Sequence, residues 1–199
     1  MVIGMLGSGR VAKVFARFLL DAGHEVLLSN GHGPDSLRDT VNLLGNGATA
    51  CSVAEAASAP IVTLAVPWLK VKAVLTNLPA WDGRILIDAT NPFVNEHLDV
   101  ADLGHESSSG YVARHAPGAR VVKALNHLYM ADFEAGPTTA AGTRVTFVSG
   151  DDREAKGTVA ALLESFHFAV IDLGSLEIGG RVQQVGSGLA GVNLALIRK

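Results

Sequence analysis

The sequence predicts an α/β protein with a doubly wound, mostly parallel sheet and a small C-terminal αβ or helical extension. Short apolar runs alternate with stretches of helical periodicity along the whole chain, which is typical of strands that are connected by helices. The first apolar run leads directly into a glycine-rich turn, and several later runs end in turn-forming residues. Together these observations favour one sheet that is covered by helices on both faces.

Eight apolar runs have the length and composition of strands, near residues 2–6, 25–29, 48–50, 60–66, 84–89, 119–125, 143–149 and 169–172. Seven stretches between them are predicted as helices, near residues 10–22, 34–45, 52–58, 68–78, 108–116, 151–166 and 179–196.

The last predicted helix, over residues 179–196, contains several glycines, and each costs up to ~1 kcal/mol of helix stability inside a helix. It is interpreted either as a packed helix that tolerates them or as a helix that associates with another backbone.

Composition and charge exclude several classes of protein. The 199 residues are 48% hydrophobic and 18% charged, and the formal net charge of −3 indicates no nucleic-acid or anionic-membrane surface. The apolar runs are shorter than ~20 residues and the first strand begins at once, so we expect neither a membrane span nor a signal peptide. The lone Cys51 and the isolated histidines predict no disulfide and no metal site. A cytoplasmic location is expected.

The turn after the first strand has the pattern G-x-G-x-x-A. Gly7 permits the tight turn, Gly9 lets the backbone approach a pyrophosphate, and Ala12 lets the following helix pack closely. A strand precedes the motif and an amphipathic helix follows it, so it predicts a Rossmann-type fold that binds a dinucleotide at the helix N-terminus. The predicted contacts are Gly7, Ser8, Gly9, Arg10 and Val11, with Arg10 as a cation for the phosphates or the adenine.

The end of the second strand predicts which dinucleotide is bound. An NAD site of this type has an acidic residue about 20 positions beyond the glycine turn, where it accepts from the ribose 2′-hydroxyl. Here that place holds Ser29, Asn30, Gly31 and His32, followed by Pro34 at the predicted start of a helix. These residues are expected to donate to a 2′-phosphate that a carboxylate would repel. The sequence therefore favours NADP over NAD.

Two further strand ends are predicted to complete the dinucleotide site, because ligands of open α/β sheets bind at the carboxyl ends of strands. Ala65, Val66 and Pro67 offer small apolar surface to the nicotinamide ribose. In the next strand end, Ala89, Asn91 and Pro92 form a turn whose Asn91 side chain can bond the nicotinamide or a second ligand. Asp88 is interpreted as a structural capping residue.

The sixth strand ends at Lys123 and continues to Asn126 and His127. Lys123 and His127 are candidates for acid–base chemistry, but no nucleophile–base constellation is recognisable, and no catalytic side chain is predicted. Hydride transfer between two bound ligands needs positioning and exclusion of water rather than a proton shuttle. The absence of a proton-shuttle constellation is consistent with such a reaction.

These strand ends together resemble the NADPH-dependent coenzyme F420 reductases (F420H2:NADP oxidoreductases). The resemblance covers nearly the whole chain. It is carried by residues 7–10, 29–34, 65–68, 88–93, 122–126, 150–152 and 172–176, and by Arg181.

The resemblance implies an NADP-binding domain over residues 1–142 and a small C-terminal part, 143–199, that completes the cleft, or one continuous domain. It implies a homodimer, a small-molecule second substrate that is coenzyme F420 or a flavin, and a role for Arg181 near that ligand. It places Gly31 and His32 where family members hold the 2′-phosphate with a Ser-Arg pair, so His32 replaces an arginine. Asn126 stands where some deazaflavin reductases have a histidine.

Two other functions remain open from the sequence. One is an NADP-dependent dehydrogenase or reductase of a small hydroxy or imino acid, with Lys123 as the acid–base group. The other is a non-catalytic NADP-sensing module, which the glycine-rich last helix favours.

Overall fold

The computed structural model describes residues 1–197, and within this range ten strands form one sheet. The strands are β1 (Val2–Leu6), β2 (Glu25–Ser29), β3 (Ala48–Ala50), β4 (Ile61–Leu64), β5 (Ile85–Asp88), β6 (Arg120–Lys123), β7 (Thr138–Thr139), β8 (Gly142–Gly150), β9 (Ala169–Asp172) and β10 (Ala195–Leu196). The helices are α1 (Arg10–Asp21), α2 (Arg38–Leu44), α3 (Val53–Ala57), α4 (Val71–Thr76), α5 (Ser108–His115), α6 (Met130–Glu134), α7 (Arg153–Ser165) and α8 (Gly179–Gln183).

The strand order confirms the predicted doubly wound, Rossmann-type architecture. The sheet runs β3-β2-β1-β4-β5-β6-β8-β10, and its first six strands are parallel. The chain order reverses between β1 and β4, which is where ligands of such sheets bind. β8 then pairs antiparallel with β6, so the same sheet continues past residue 142. Residues 198 and 199 of the predicted C-terminal part lie outside the described residues.

Two apolar clusters hold the helices on opposite faces of the sheet. α1 and α7 bury residues such as Phe15, Leu19 and Leu162 in one cluster. The other face is covered by α3, α4 and α5. The described residues include no helix with the length and apolar character that crossing a membrane requires.

The prediction of a helix over residues 179–196 is wrong. The helix α8 ends at Gln183, and turns lead from there to the short strand β10. Gly186 and Gly191 adopt φ values of 87° and 76°, which lie in the left-handed region and are incompatible with a continuing α-helix. These two glycines therefore form turns rather than a helix surface.

Smaller differences concern short elements. Residues 34–37 form a 3-10 turn before α2 rather than the first turn of one long helix. The elements α6, β7 and β10 contain five, two and two residues, which is too short for periodicity to predict.

Candidate functional site

The glycine turn between β1 and α1 is shaped by close backbone contacts. The Gly7 N–H donates to the Ser29 carbonyl at 3.0 Å, and Gly7 has a φ of 115°. A Cβ at Gly7 would lie 2.2 Å from the carbonyl oxygen of Ala65 in the neighbouring strand end. Only glycine therefore fits this position without a shift of β1 against β4.

Gly9 serves the opposite purpose, because its surroundings are open. It is the N-cap of α1, it provides no side-chain cap, and a Cβ there would meet no atom within 4 Å. The first N–H groups of a helix have no partner within it. This end of α1 is therefore an open cradle of donors that fits a pyrophosphate.

A first cavity of about 530 Å³ lies beside this helix end. It brings together eight residues of the predicted dinucleotide site: Gly9, Arg10, Val11, Ala65, Val66, Pro67, Ala89 and Asn91. The sequence did not predict the contributions of Trp68, Phe93 and Met130, which also line it. Pro92 is buried behind this wall and accepts from the Ala101 N–H at 2.8 Å.

The loop after β2 divides the predicted 2′-phosphate residues into two groups. Ser29 is fully buried, and its hydroxyl donates to the Met5 carbonyl at 2.7 Å, so this side chain stabilises the core. Asn30 accepts from the His32 N–H at 2.8 Å and approaches the Ser8 hydroxyl at 3.4 Å. Gly31 and His32 are exposed on this loop, and their contact with a 2′-phosphate stays a prediction.

Arg10 is held in place by a residue that the sequence analysis missed. Its guanidinium donates to both carboxylate oxygens of Glu134, with the Nη2 atom 2.8 Å from each. Glu134 ends the short helix α6, and the bidentate pair is more than a third exposed on both sides. The pair fixes the direction of Arg10 at the rim of the first cavity.

A second cavity of about 550 Å³ lies next to the first. The two cavities share five wall residues: Val11, Ala89, Asn91, Phe93 and Met130. The second cavity is otherwise lined by the segment after β6, which includes Asn126, and by the segment after α8, which includes Val185 and Gly191.

Three amide side chains connect these segments. The Asn126 Nδ2 atom donates to Asn91 Oδ1 at 3.1 Å and to the Gln183 carbonyl at 2.8 Å. The Gln183 Nε2 atom donates back to Asn126 Oδ1 at 2.9 Å, and Gln183 also accepts from the Ser149 hydroxyl at 2.6 Å. Gln183 is fully buried. This network holds α8 against the strand ends and fixes the amide that faces the second cavity.

Lys123 and Asp88 form a buried ion pair beneath the site. The Lys123 Nζ atom lies 3.3 Å from Asp88 Oδ2 and 3.1 Å from the Thr90 carbonyl, and both side chains are fully buried. Asp88 also accepts from the Thr90 and Ser109 hydroxyls, which confirms its structural interpretation. Burial lowers the pKa of Lys123, while the Asp88 carboxylate opposes that shift. Lys123 lines neither cavity.

His127 lies in the wall of the second cavity, and Arg181 lies in a neighbouring cavity. The His127 ring is buried, packs 4.5 Å from Phe147, and has no well-aligned hydrogen-bond partner among residues 1–197. Burial lowers the pKa of His127 to about 4. Arg181 lines a separate cavity with Asp102 and Glu106, and its contact with a second ligand stays a prediction.

The fold and the open helix end define the class of protein: a Rossmann-type protein with a candidate dinucleotide site at the N-terminus of α1. Residues 2–92 match the family model described as NADP oxidoreductase, coenzyme F420-dependent. The chain belongs to this family, which confirms the resemblance that the strand ends carry, and the family's members are NADP-dependent oxidoreductases.

The chain is similar to three proteins over most of its length, and the second of them supports this assignment. A hypothetical protein from Sinorhizobium meliloti is 34% identical, with a TM-score of 0.91 over 98% of this chain and 96% of that one. A structure from Arthrobacter sp. FB24, assigned as an F420-dependent NADP reductase, is 30% identical, with a TM-score of 0.76 over 87% and 84%. The rat metalloreductase STEAP3 is 30% identical over 92% of this chain, which spans only 36% of the rat protein's length.

Proposed function

We propose that this protein transfers a hydride between NADPH and a flat second ligand such as coenzyme F420 or a flavin. The observation that carries the proposal is the pair of adjacent cavities, one at the glycine turn and one beneath the C-terminal segment. They share a wall that includes Val11, Ala89 and Met130. The shared residues make the two cavities neighbours, which supports the proposal because direct transfer requires proximity of the two ligands.

The residues of the first cavity are proposed to bind and orient the dinucleotide. The N-terminus of α1 and the space above Gly9 hold the pyrophosphate. Asn30, Gly31 and His32 hold the 2′-phosphate, with the loop shaped by the Asn30 side chain. When bound there, NADPH supplies the hydride.

The remaining strand ends are proposed to position the reacting ring. Ala65, Val66 and Pro67 offer a small surface on which the nicotinamide ribose rests. Asn91 and Asn126 present amide groups whose orientation is fixed by their mutual hydrogen bonds. Apolar neighbours such as Phe93 and Met130 exclude water from the shared wall.

The structure favours this function over the two alternatives. A dehydrogenase of small hydroxy or imino acids would need Lys123 at the substrate, but this side chain is fully buried and ion-paired with Asp88. The case for a non-catalytic module depended on a glycine-rich last helix, which is absent from the described residues beyond Gln183.

Deuterium transfer tests the proposal directly. NADPH labelled at the transferable position of C4 is mixed with the protein and coenzyme F420, and the reduced deazaflavin is examined for label at its ring carbon. We expect enzyme-dependent oxidation of NADPH and transfer of deuterium to that carbon. Parallel reactions with FMN, FAD and riboflavin are followed by loss of nicotinamide absorbance. No oxidation of NADPH with any of these acceptors would overturn the proposal.

A further inference from the structure

The second cavity is neutral. Its lining within residues 1–197 consists of apolar and aromatic side chains, two amides, one buried histidine, one serine and backbone, and no Lys, Arg, Asp or Glu contributes to it. The amides are already bonded, since Asn91 and Asn126 donate to each other's segments at 2.8 and 3.1 Å. A charged group that entered this cavity would lose its hydration without gaining an opposite charge.

The mouth of the cavity offers an aromatic surface to a flat ligand. Tyr129 is 68% exposed although it lines the cavity. Its ring lies against Gly191, where a Cβ would come within 2.9 Å of three ring atoms. An aromatic ring that is held in place and open to solvent on one side is suited to stacking with a conjugated ring.

The surface next to the second cavity carries no net positive charge either. A smaller cavity of about 330 Å³ shares Ser187 with it and holds Arg181 together with the carboxylates of Asp102 and Glu106. The guanidinium of Arg114 donates to Glu106 at 3.1 and 2.9 Å, so this arginine is already engaged. An anionic tail that left the second cavity on this side would meet Arg181 beside the Asp102 carboxylate and the Arg114–Glu106 ion pair, and so would meet no net positive charge.

We propose that the site recognises its acceptor by an uncharged conjugated ring alone, so that an anionic tail adds nothing to binding. The acceptor class is therefore defined by an uncharged flavin-type or quinone ring, whether or not its tail carries a phosphate. The inference rests on the proposed function. The reaction balances because NADPH delivers two electrons and one proton as hydride to the ring, and water supplies the second proton of the reduced acceptor.

Riboflavin and FMN form a matched pair that tests this inference, because they differ only by the phosphate. Their dissociation constants are measured by quenching of flavin fluorescence with NADP⁺ present, and kcat/KM is measured with NADPH. A naphthoquinone without ionisable groups forms a separate arm that distinguishes the two sources of an uncharged ring. We expect riboflavin to bind and react at least as well as FMN.

The outcomes separate this inference from the function on which it rests. A tenfold or greater preference for FMN over riboflavin, or for coenzyme F420 over its tail-free riboside, overturns the inference and leaves the proposed function intact. Failure to reduce any acceptor overturns both.

Two pairs of variants locate the effect. Leu98 lines the cavity and is 61% exposed, so Leu98→Arg places a cation at the mouth, and Leu98→Gln is its neutral control. Leu98→Arg should shift the ratio of dissociation constants about threefold toward FMN, and the control should not.

Tyr129→Ala should weaken the binding of riboflavin and of FMN equally, by about tenfold, while Tyr129→Phe should retain the affinity of the parent protein. An unchanged ratio in Leu98→Arg, or unchanged affinities in Tyr129→Ala, would contradict the proposal.

Discussion

The two cavities of this protein are adjacent but are built in different ways. The first lies beside the glycine turn, the N-terminus of α1 and the strand end at Ala65, whose positions depend on the close backbone contacts of Gly7. The second is formed by side chains from distant segments, which the amides of Asn126 and Gln183 hold together. A backbone site tolerates few substitutions, whereas a side-chain site can change without disturbing the sheet. Under the proposed function, this difference distinguishes the dinucleotide site at the glycine turn from the acceptor site beside it.

Substitutions at the two turn glycines should break the first cavity in two distinct ways. Gly9→Val fills the open space above the helix end, so NADPH affinity should fall by about a hundredfold or more, since several bonds to a charged pyrophosphate are lost. The fold should survive, because a Cβ at Gly9 meets no atom within 4 Å.

Gly7→Ala should instead destabilise the protein by about 3 kcal/mol or more, because Gly7 has a positive φ and an added Cβ would collide with the backbone of Ala65.

Titration with NADPH and thermal unfolding of both variants check this prediction. The melting temperature of Gly9→Val should stay within about 4 °C of the parent protein. Normal NADPH binding by Gly9→Val, or a melting temperature of Gly7→Ala equal to that of the parent, would show that the turn does not hold the cofactor as described.

The same difference between the cavities explains what could be predicted from the sequence. Requirements on the backbone are local, so the G-x-G-x-x-A pattern and the strand ends predicted eight residues that line the first cavity. Gln183 was missed because its partners, Asn126 and Ser149, are 57 and 34 positions away in the chain. Periodicity also cannot show that Gly186 and Gly191 have positive φ, which is why turns were read as a helix. Glu134 lies in a helix too short to predict.

The second cavity differs from the first because its wall contains a buried histidine, which should make the stability of the protein sensitive to acid. His127 lies in its wall, and burial lowers the pKa of its ring to about 4, while the nearby Val145 backbone acts in the opposite direction. The unfolded chain binds a proton near the ordinary pKa of 6.5, whereas the folded protein resists protonation until pH 4. Above pH 6.5 the ring is neutral in both the folded and the unfolded protein, so His127 takes nothing from the free energy of unfolding there. As the pH falls from 6.5 to 4, we expect about 3 kcal/mol of unfolding free energy to be lost.

Urea unfolding at several pH values measures this loss, and two variants assign it. His127→Phe removes the titrating group from the same packing position, so the dependence in this window should become flatter by that amount. His24→Gln should leave the dependence of the unfolding free energy on pH nearly unchanged. His24 is partly exposed beside the N-terminal amine, so solvent screens the interactions that lower its pKa. If His24→Gln flattens the profile and His127→Phe does not, the acid sensitivity does not originate at the second cavity.

The smallest expected effect concerns the His32 side chain at the proposed 2′-phosphate site. His32 lies exposed at the tip of the loop, so a substitution there should change contacts to the 2′-phosphate without affecting the fold. His32→Arg supplies a permanent charge and a forked donor, and should tighten NADPH binding by about threefold, as is typical of an exposed ion pair. NADH lacks the 2′-phosphate, so its affinity should not change, and His32→Gln should weaken NADPH slightly. Calorimetric titration of both nucleotides checks the result. Equal tightening of NADH would mean that His32 acts on the rest of the nucleotide and that the 2′-phosphate is held by the backbone of Gly31 and by Asn30.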